Sequence, residues 1–477
     1  MPPGRPASHR ARVELVCPRM NAPRARLAKK SSLLWTKWDV VVRKNRRAVA
    51  IVEAETGRAW NRAEISAWAE ALAAGPLACS AGECVGFSLS NSAEWIAVFL
   101  ALQRVGAAAI PLDPSLTANQ QDALAEALRL RFVWRDGALR AACAAGRASR
   151  SMRVGKLTSG STGEPRLIRC SAAHLLADGA NIIRTMRIRP SDRNLALIPL
   201  GHSYGLGNLV APLLLQGTSL ICARAFVPRQ IPGWIKKHRA TVLPTVPAVL
   251  RLLADLPGRA RLGLLKLVIS AGARLPAETA CDFTARFGLR VHNFYGSSET
   301  GGICYDRRGT ASIDRESVGT ALRGVKVALT PRGRIRVSSE AVAAGRGGAF
   351  TLPDFGKFNA RGEIEIIGRA GRVANIGGRN IHPREIEIRL ARLPGVSDAW
   401  VQVLASAGRD YLVAAVETSR PREEIVSDFN QLVAPWQRPR FWLVLPRLPR
   451  TERGKLDAPA LRARLEAGNL KARDGRG

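Results

Sequence analysis

The chain has 477 residues, 46% of them apolar and only 5% aromatic, with a formal net charge of +35. That length is enough for several structural units around a large core. The charge is spread along the chain as arginine, with no compact basic run in its middle, no aromatic platforms and no helix-turn-helix or zinc-finger spacing; this sets specific nucleic-acid binding aside and leaves weak attraction to anionic small molecules or an acidic carrier.

Residues 1–34 are basic, rich in Pro, Arg and Ala, and lack the apolar core of a secretory signal; they read as a disordered arm, with Met20 as an alternative start. From Arg47 the pattern becomes regular. Residues 48–60 read as a hairpin turning at Thr56-Gly57, and Asn61 opens a helix through Ala73. Residues 85–90 read as a strand, Asn91-x-x-Glu94 as a helix start, and Trp95, Ile96, Phe99 and Leu100 share one helical face. Residues 107–114 read as the next strand, so this is a βαβ unit in a parallel sheet.

Asp136 to Arg153 reads as a connector of small residues and arginine. A second α/β run extends from Ser171 to about Phe287, with strands at 194–200, 219–223, 240–245 and 265–271. The stretch from Gly301 to Asn359 reads as β-rich with many turns. After Arg369 comes a short α+β module: helix Pro383–Leu393, strands 399–404 and 411–417, a helix near Glu423–Val433 and strand 441–445. The expected fold is α/β: a large N-terminal domain over residues 35–368, built from α/β sheets plus a β-rich subdomain, then a small α+β C-terminal domain over 369–477. The boundary falls at Arg369–Gly371, and no internal repeat is present.

The eight cysteines are scattered without a C-x-x-C pair, which argues against a zinc site and fits a reduced cytoplasmic compartment. The most apolar stretch, Leu195 to Ala223, is interrupted by His202, Asn208 and Gln216, so no membrane span is expected.

The chemistry concentrates in a few strings. Leu157-Thr158-Ser159-Gly160-Ser161-Thr162-Gly163-Glu164-Pro165-Arg166 is a run of small, hydroxyl and glycine residues that lets backbone N–H groups and hydroxyls approach phosphate oxygens. Gly155 and Gly160 have P-loop spacing, but Ser161 stands where that loop needs lysine, so this is not a Walker A site.

The whole string resembles the phosphate-loop signature of the acyl-adenylate-forming superfamily, which includes acyl- and aryl-CoA ligases, nonribosomal adenylation domains and luciferases. Arg166 takes the place of the usual lysine. Further strings follow in that family's order, from near Val40 to near Leu465. Ser270-Ala271-Gly272-Ala273 resembles the adenine-side strand end. His292 to Thr300, containing Asn293, Phe294, Tyr295, Gly296, Ser298 and Glu299, resembles the Y-G-x-T-E motif. Thr351-x-x-Asp354 resembles the ribose-binding T-G-D motif without its glycine. Gly368-Arg369, Gly377-Gly378 and Ile381-x-Pro383-x-Glu385 resemble the hinge segment of a mobile C-terminal domain, and Pro449-Arg450-Thr451-x-x-Gly454-Lys455 resembles the C-terminal lysine motif.

The resemblance implies ATP-dependent activation of a carboxylic acid to an acyl-AMP with release of pyrophosphate, followed by transfer to a thiol. It implies that Thr158 to Gly163 cradle phosphates, Tyr295 stacks on adenine, Asp354 grips the ribose and Glu299 holds Mg²⁺. It makes Lys455 the group that stabilises transition-state charge, with Glu299 and Thr158 beside it. His202, Ser203 and Tyr204, with Gly272, Gly296 and Gly301, would face the acid. His202 stands where relatives that activate amino acids carry an aspartate, so an acyl or aryl acid without an α-amine is expected. The acceptor would be coenzyme A or the phosphopantetheine of an acyl carrier protein, and the chain a monomer or homodimer. Two hinge positions depart from the family: Gly371 replaces its aspartate and Asn375 its lysine. That raises a slower thiol step, a carrier-bound thiol, or a scaffold with impaired turnover.

Overall fold

The computed structural model describes residues 31–143, 151–159, 165–258, 261–314, 317–369, 374–376, 379–381, 383–406, 409–433, 435–451 and 456–465. Two sheets of mainly parallel strands form the bulk of it. The first has nine strands, in spatial order 320–321, 301–305, 291–297, 267–270, 242–245, 193–196, 219–222, 49–53 and 59–61. Its six strands from 291–297 to 49–53 run parallel, and the antiparallel strands lie at its edges. The second has six strands in the order 138–141, 132–135, 84–87, 108–111, 154–159 and 165–170. Apolar runs such as Val85–Phe87 and Val268–Ile269 are buried throughout, as strands covered on both faces require.

A four-stranded antiparallel sheet follows, in the order 326–329, 334–338, 349–358 and 364–369. Beyond it the chain forms a two-stranded ladder, 374–376 with 379–381, in which Asn375 pairs with Asn380. The smaller C-terminal domain is built on a three-stranded sheet, 396–406, 409–418 and 441–445, with helices Pro383–Leu390 and Arg422–Leu432 sharing a core around Ile386, Val401, Ala414 and Phe429. Among the described residues, no helix is long and apolar enough to cross a membrane.

Several local expectations change. Helix Leu33–Lys44 starts inside the stretch read as an arm; Ser32 caps it, and Leu34, Trp35, Trp38, Val41 and Val42 bury its inner face. Residues 1–30 lie outside the described residues. The connector read from Asp136 opens with strand Ala138–Ala141, paired antiparallel to Phe132–Arg135 through an Asp136-Gly137 turn in which both residues have positive φ. That Asp-Gly pair is a hairpin signal in its own right.

Asn91 does not cap its helix. Ser92 does, accepting from the Trp95 amide at 3.2 Å, and the helix runs Ala93–Val105. The Asn91 amide instead donates to the carbonyls of Ala196 and Ile198, each at 2.9 Å, and its oxygen accepts from the Leu200 amide at 2.9 Å. The strand expected over 194–200 therefore ends at Ala196, because a side chain takes over the backbone pairing from there.

Candidate active site

The parallel strands point their carboxyl ends to one side of the nine-stranded sheet, where ligands of open α/β sheets bind. Thr245, Ser270 and Asn293 stand in register across three neighbouring strands near those ends. Gly272 follows the strand Leu267–Ser270 with φ +81°, a turn geometry that costs glycine nothing. Gly272 and Ala273 are both exposed on this rim.

The strand Val291–Ser297 supplies the centre of the site. The Tyr295 hydroxyl donates to Asp354 Oδ2 at 2.9 Å. Asp354 lies directly opposite Arg369 in the antiparallel ladder, and the Arg369 guanidinium Nε is 3.7 Å from Asp354 Oδ1. Three motifs far apart in sequence thus meet at one carboxylate. Burial pushes the Asp354 carboxyl above its ordinary range, with Arg369 and the Tyr295 hydroxyl pulling the other way and Glu299 adding to the rise. Burial, reinforced by the Asp354 charge, also holds the Tyr295 phenol well above its usual value, so Tyr295 acts as a neutral donor.

The turn after this strand carries Ser298 and Glu299. Ser297 Oγ and Thr300 Oγ1 are 3.1 Å apart, and the Thr300 amide donates to Ser297 Oγ at 3.3 Å. The Glu299 carbonyl accepts from the amides of Ala343 and Ala344, at 2.8 and 3.2 Å. Those bonds fix the backbone, and the Glu299 side chain is half-buried.

Ser203 Oγ donates to Ser298 Oγ at 2.7 Å, joining the His202–Tyr204 segment to this turn. Tyr204 is bound downward: its hydroxyl donates to the Ile269 carbonyl at 3.1 Å, and its ring lies 5.8 Å from that of Phe294. Residues 206–210 continue as a π-helical turn, a distortion frequent at functional sites. His202 is half-buried at the start of this helix.

Other sequence-selected residues turn away from the rim. Phe294 is 6% exposed and belongs to the core. Asn293 donates to the Ser317 carbonyl at 3.2 Å. Gly301 is buried, and Gly296 is exposed.

The phosphate-loop string forms a hairpin. Strand Val154–Ser159 runs antiparallel to Pro165–Cys170, with Thr158 opposite Arg166 and Ser159 opposite Pro165. Helix Ala172–Met186 follows only after the second strand, so the strand–loop–helix geometry of a Walker site is absent. Thr158 Oγ1 lies 3.5 Å from the Arg166 carbonyl, and Arg166 is exposed. Gly160, Ser161, Thr162 and Gly163 lie outside the described residues, as do Gly371 and Lys455. The lysine motif is described on both flanks, where Arg450 and Leu456 form a β-bridge.

Sequence reasoning missed Lys156 and Asp178. Both are buried, at 1% and 2% exposure, and both touch segments that carry the motifs. A lysine flanked by glycine and leucine within an otherwise apolar strand was the available signal.

The strand order defines an α/β protein with a smaller C-terminal domain, and the Tyr295–Asp354–Arg369 cluster lies toward the carboxyl strand ends where such sheets carry their sites. The profile of the AMP-binding enzyme family matches residues 38–156 and 152–334, more than half of the chain, and the chain belongs to that family. Among curated relatives, it is 26% identical over 329 residues to the 3-[(3aS,4S,7aS)-7a-methyl-1,5-dioxo-octahydro-1H-inden-4-yl]propanoyl:CoA ligase of Mycobacterium tuberculosis, covering 64% of this chain and 65% of that protein. It is 33% identical over 267 residues to the sulfoacetate–CoA ligase of Cupriavidus necator, covering 51% of this chain and 52% of that protein. Each alignment thus spans less than two thirds of the relative. The fold resembles that of ATP-bound MatB from Rhodopseudomonas palustris, with a TM-score of 0.77 at 24% identity over 89% of this chain and 98% of that one.

Proposed function

We propose that the protein activates a carboxylic acid with ATP, releasing pyrophosphate and forming an acyl-AMP, and then passes the acyl group to the thiol of coenzyme A. The observation that carries this reading is the strand end Tyr295–Glu299, tied on one side to Asp354 and on the other to Ser203. A nucleoside can be gripped on the first side while a second reactant lies on the other, within a few residues of backbone. Relatives named as CoA ligases add support.

Both reactants are anions, so the barrier is electrostatic and positional. In this reading Tyr295 lies against the adenine and Asp354 accepts from the ribose hydroxyls. Thr158, Ser159 and Gly160 to Gly163 donate to phosphate oxygens, and Arg166 adds positive charge. Lys455 stabilises charge on the carboxylate and α-phosphate. Magnesium fits the donor present: Glu299 is a half-buried carboxylate on the turn that follows Tyr295, and this ion is usually held by one or two carboxylates plus substrate phosphates. Glu299 is the carboxylate placed for it, and the bound ion would neutralise phosphate charge.

His202 in place of an aspartate favours an acid without an α-amine. The C-terminal domain, hinged at Arg369–Gly371, then turns to withdraw Lys455 and admit the thiol. A carrier-protein phosphopantetheine offers the same thiol, and Gly371 and Asn375 at the hinge are the observation favouring it. The test is pyrophosphate release from ATP across aliphatic, aryl and amino acids, followed by transfer from preformed acyl-AMP to coenzyme A or to a carrier protein. No pyrophosphate with any acid overturns the reading; release only with amino acids overturns the role given to His202.

A further inference from the structure

One buried carboxylate lies under two segments of the site, the Glu299 turn and the turn that follows His202–Tyr204, and no motif contains it. Asp178 is in the middle of helix Ala172–Met186 and is 2% exposed. Its Oδ1 accepts from the Gly302 amide at 2.8 Å, three residues after Glu299. It lies flush against two backbones: a Cβ on Gly301 would fall 2.5 Å from Asp178 Oδ1, and one on Gly207 would fall 2.8 Å from Oδ2. Gly207 belongs to the π-helical turn that continues the His202–Tyr204 segment. The compensating charge comes from Lys156, 1% exposed on the strand that enters the phosphate hairpin two residues before Thr158. Burial raises the Asp178 carboxyl above its ordinary range, and Lys156 is the chief influence opposing that rise.

A buried carboxylate is a poor device for stability alone, since an apolar residue of similar volume usually serves as well. Aspartate is also a weak helix former at a mid-helix position. What Asp178 does is hold three elements at one point: its own helix, the acid-side turn at Gly207 and the Glu299 turn at Gly302. We infer that Asp178 is a positioning residue that sets the Glu299 turn against the acid-side turn. It touches no reactant. The inference rests on the adenylating reading for its kinetic consequence, and on geometry alone for its structural one.

The experiment compares Asp178→Ala, which removes the acceptor for Gly302, with Asp178→Asn combined with Lys156→Met, which removes both charges and keeps an acceptor. Amide hydrogen exchange over residues 299–303 reads the bond directly. In Asp178→Ala, exchange at Gly302 should rise about tenfold or more, because a buried donor loses its partner. The KM for MgATP in pyrophosphate release should rise by a similar factor, about tenfold, with a smaller change in kcat. The double variant should stay within about threefold of wild type in both, a rescue by the conservative change. A folded Asp178→Ala with Gly302 exchange and MgATP KM unchanged overturns the inference. If Asp178→Ala fails to fold, Gly207→Ala decides: its Cβ would fall 2.8 Å from Asp178 Oδ2 and displace the carboxylate, so Gly302 exchange and the MgATP KM should rise as above, and no change in either overturns the inference. Should the wild type release no pyrophosphate with any acid, the adenylating reading falls by itself; exchange at Gly302 and calorimetric ATP binding then still judge the positioning role.

Discussion

Asp354 stands where stability and function pull apart. Burial raises its folded-state pKa above the ordinary carboxylate value, so the folded protein holds that proton more tightly than the unfolded chain. Stability from this group is fully present below the unfolded pKa and is lost as pH rises through the folded one. At neutral pH the ionised carboxylate is therefore a cost. Asp354→Asn should raise the thermal midpoint at pH 7, the gain shrinking as pH falls and vanishing near the ordinary carboxylate range, because an amide oxygen still accepts from Tyr295. The same change should weaken nucleotide binding by removing the charged acceptor placed for the ribose. Thermal scans from pH 3 to 8 beside ATP titration check both halves, and a lower midpoint at pH 7 contradicts the sign. Lys455 poses the complementary question. If it stabilises charge only in the first half-reaction, Lys455→Ala should cut acyl-adenylate formation by about 10²–10³-fold, on the scale of losing a preorganised transition-state donor, and spare transfer from supplied acyl-AMP. Single-turnover assays of each step decide; equal losses give Lys455 a structural role.

At the scale of elements, the segment after strand Arg193–Ala196 depends on a residue 105 to 109 positions away. Asn91 binds the Ala196 and Ile198 carbonyls and the Leu200 amide, and so sets the entry to His202 and Ser203. Asn91→Ala would leave three backbone groups without this partner, and should cost about 2–3 kcal/mol. Because the displaced segment faces the acid side, the KM for the acid should rise more than that for ATP; denaturant midpoints and both KM values test this. The same residue shows what was legible. Strands, the Asn61 cap and the motif strings could be read because their signals lie within a few residues, and Tyr295, Asp354 and Arg369 do lie together. Asn91 looked like a cap because Asn-x-x-Glu is a local cap pattern, whereas its partners lie across the fold. Asp178 was silent for the same reason, its partner Gly302 being 124 residues on. Helix Leu33–Lys44 was hidden by its basic surroundings, although Leu34, Trp35, Trp38, Val41 and Val42 fall on one face.

The whole molecule is joined by charges that no motif announces. Glu417, 4% exposed in the C-terminal sheet, accepts from the Leu448 amide at 3.0 Å and lies 3.4 Å from the Arg450 guanidinium, which also reaches Asp398 at 2.7 Å. Its other oxygen takes Arg251, on helix Pro247–Ala254 of the large domain. One turn along that helix axis, Asp255 lies 3.8 Å from Arg447. The network therefore runs from the large domain, through Glu417, to Arg450, which flanks the lysine motif and bridges to Leu456. Its members are not equivalent. Arg251→Ala leaves Glu417 with Arg450 and the Leu448 amide, and Arg251 is partly solvated, so the expected loss is about 1 kcal/mol, felt mainly as weaker docking between domains. Glu417→Ala takes the acceptor from the buried Leu448 amide and one partner each from Arg251 and Arg450, while Arg450 keeps Asp398, and about 2–3 kcal/mol should be lost. Because a two-domain chain need not unfold in one step, the measurement is calorimetry rather than a single midpoint. Arg251→Ala should separate the transitions of the two domains while leaving each near its own temperature, whereas Glu417→Ala should lower the C-terminal transition itself. Equal and small shifts in both variants would mean that the Arg251 contact and the Arg450 contact act independently, and that Arg450 is not mechanically tied to the large domain.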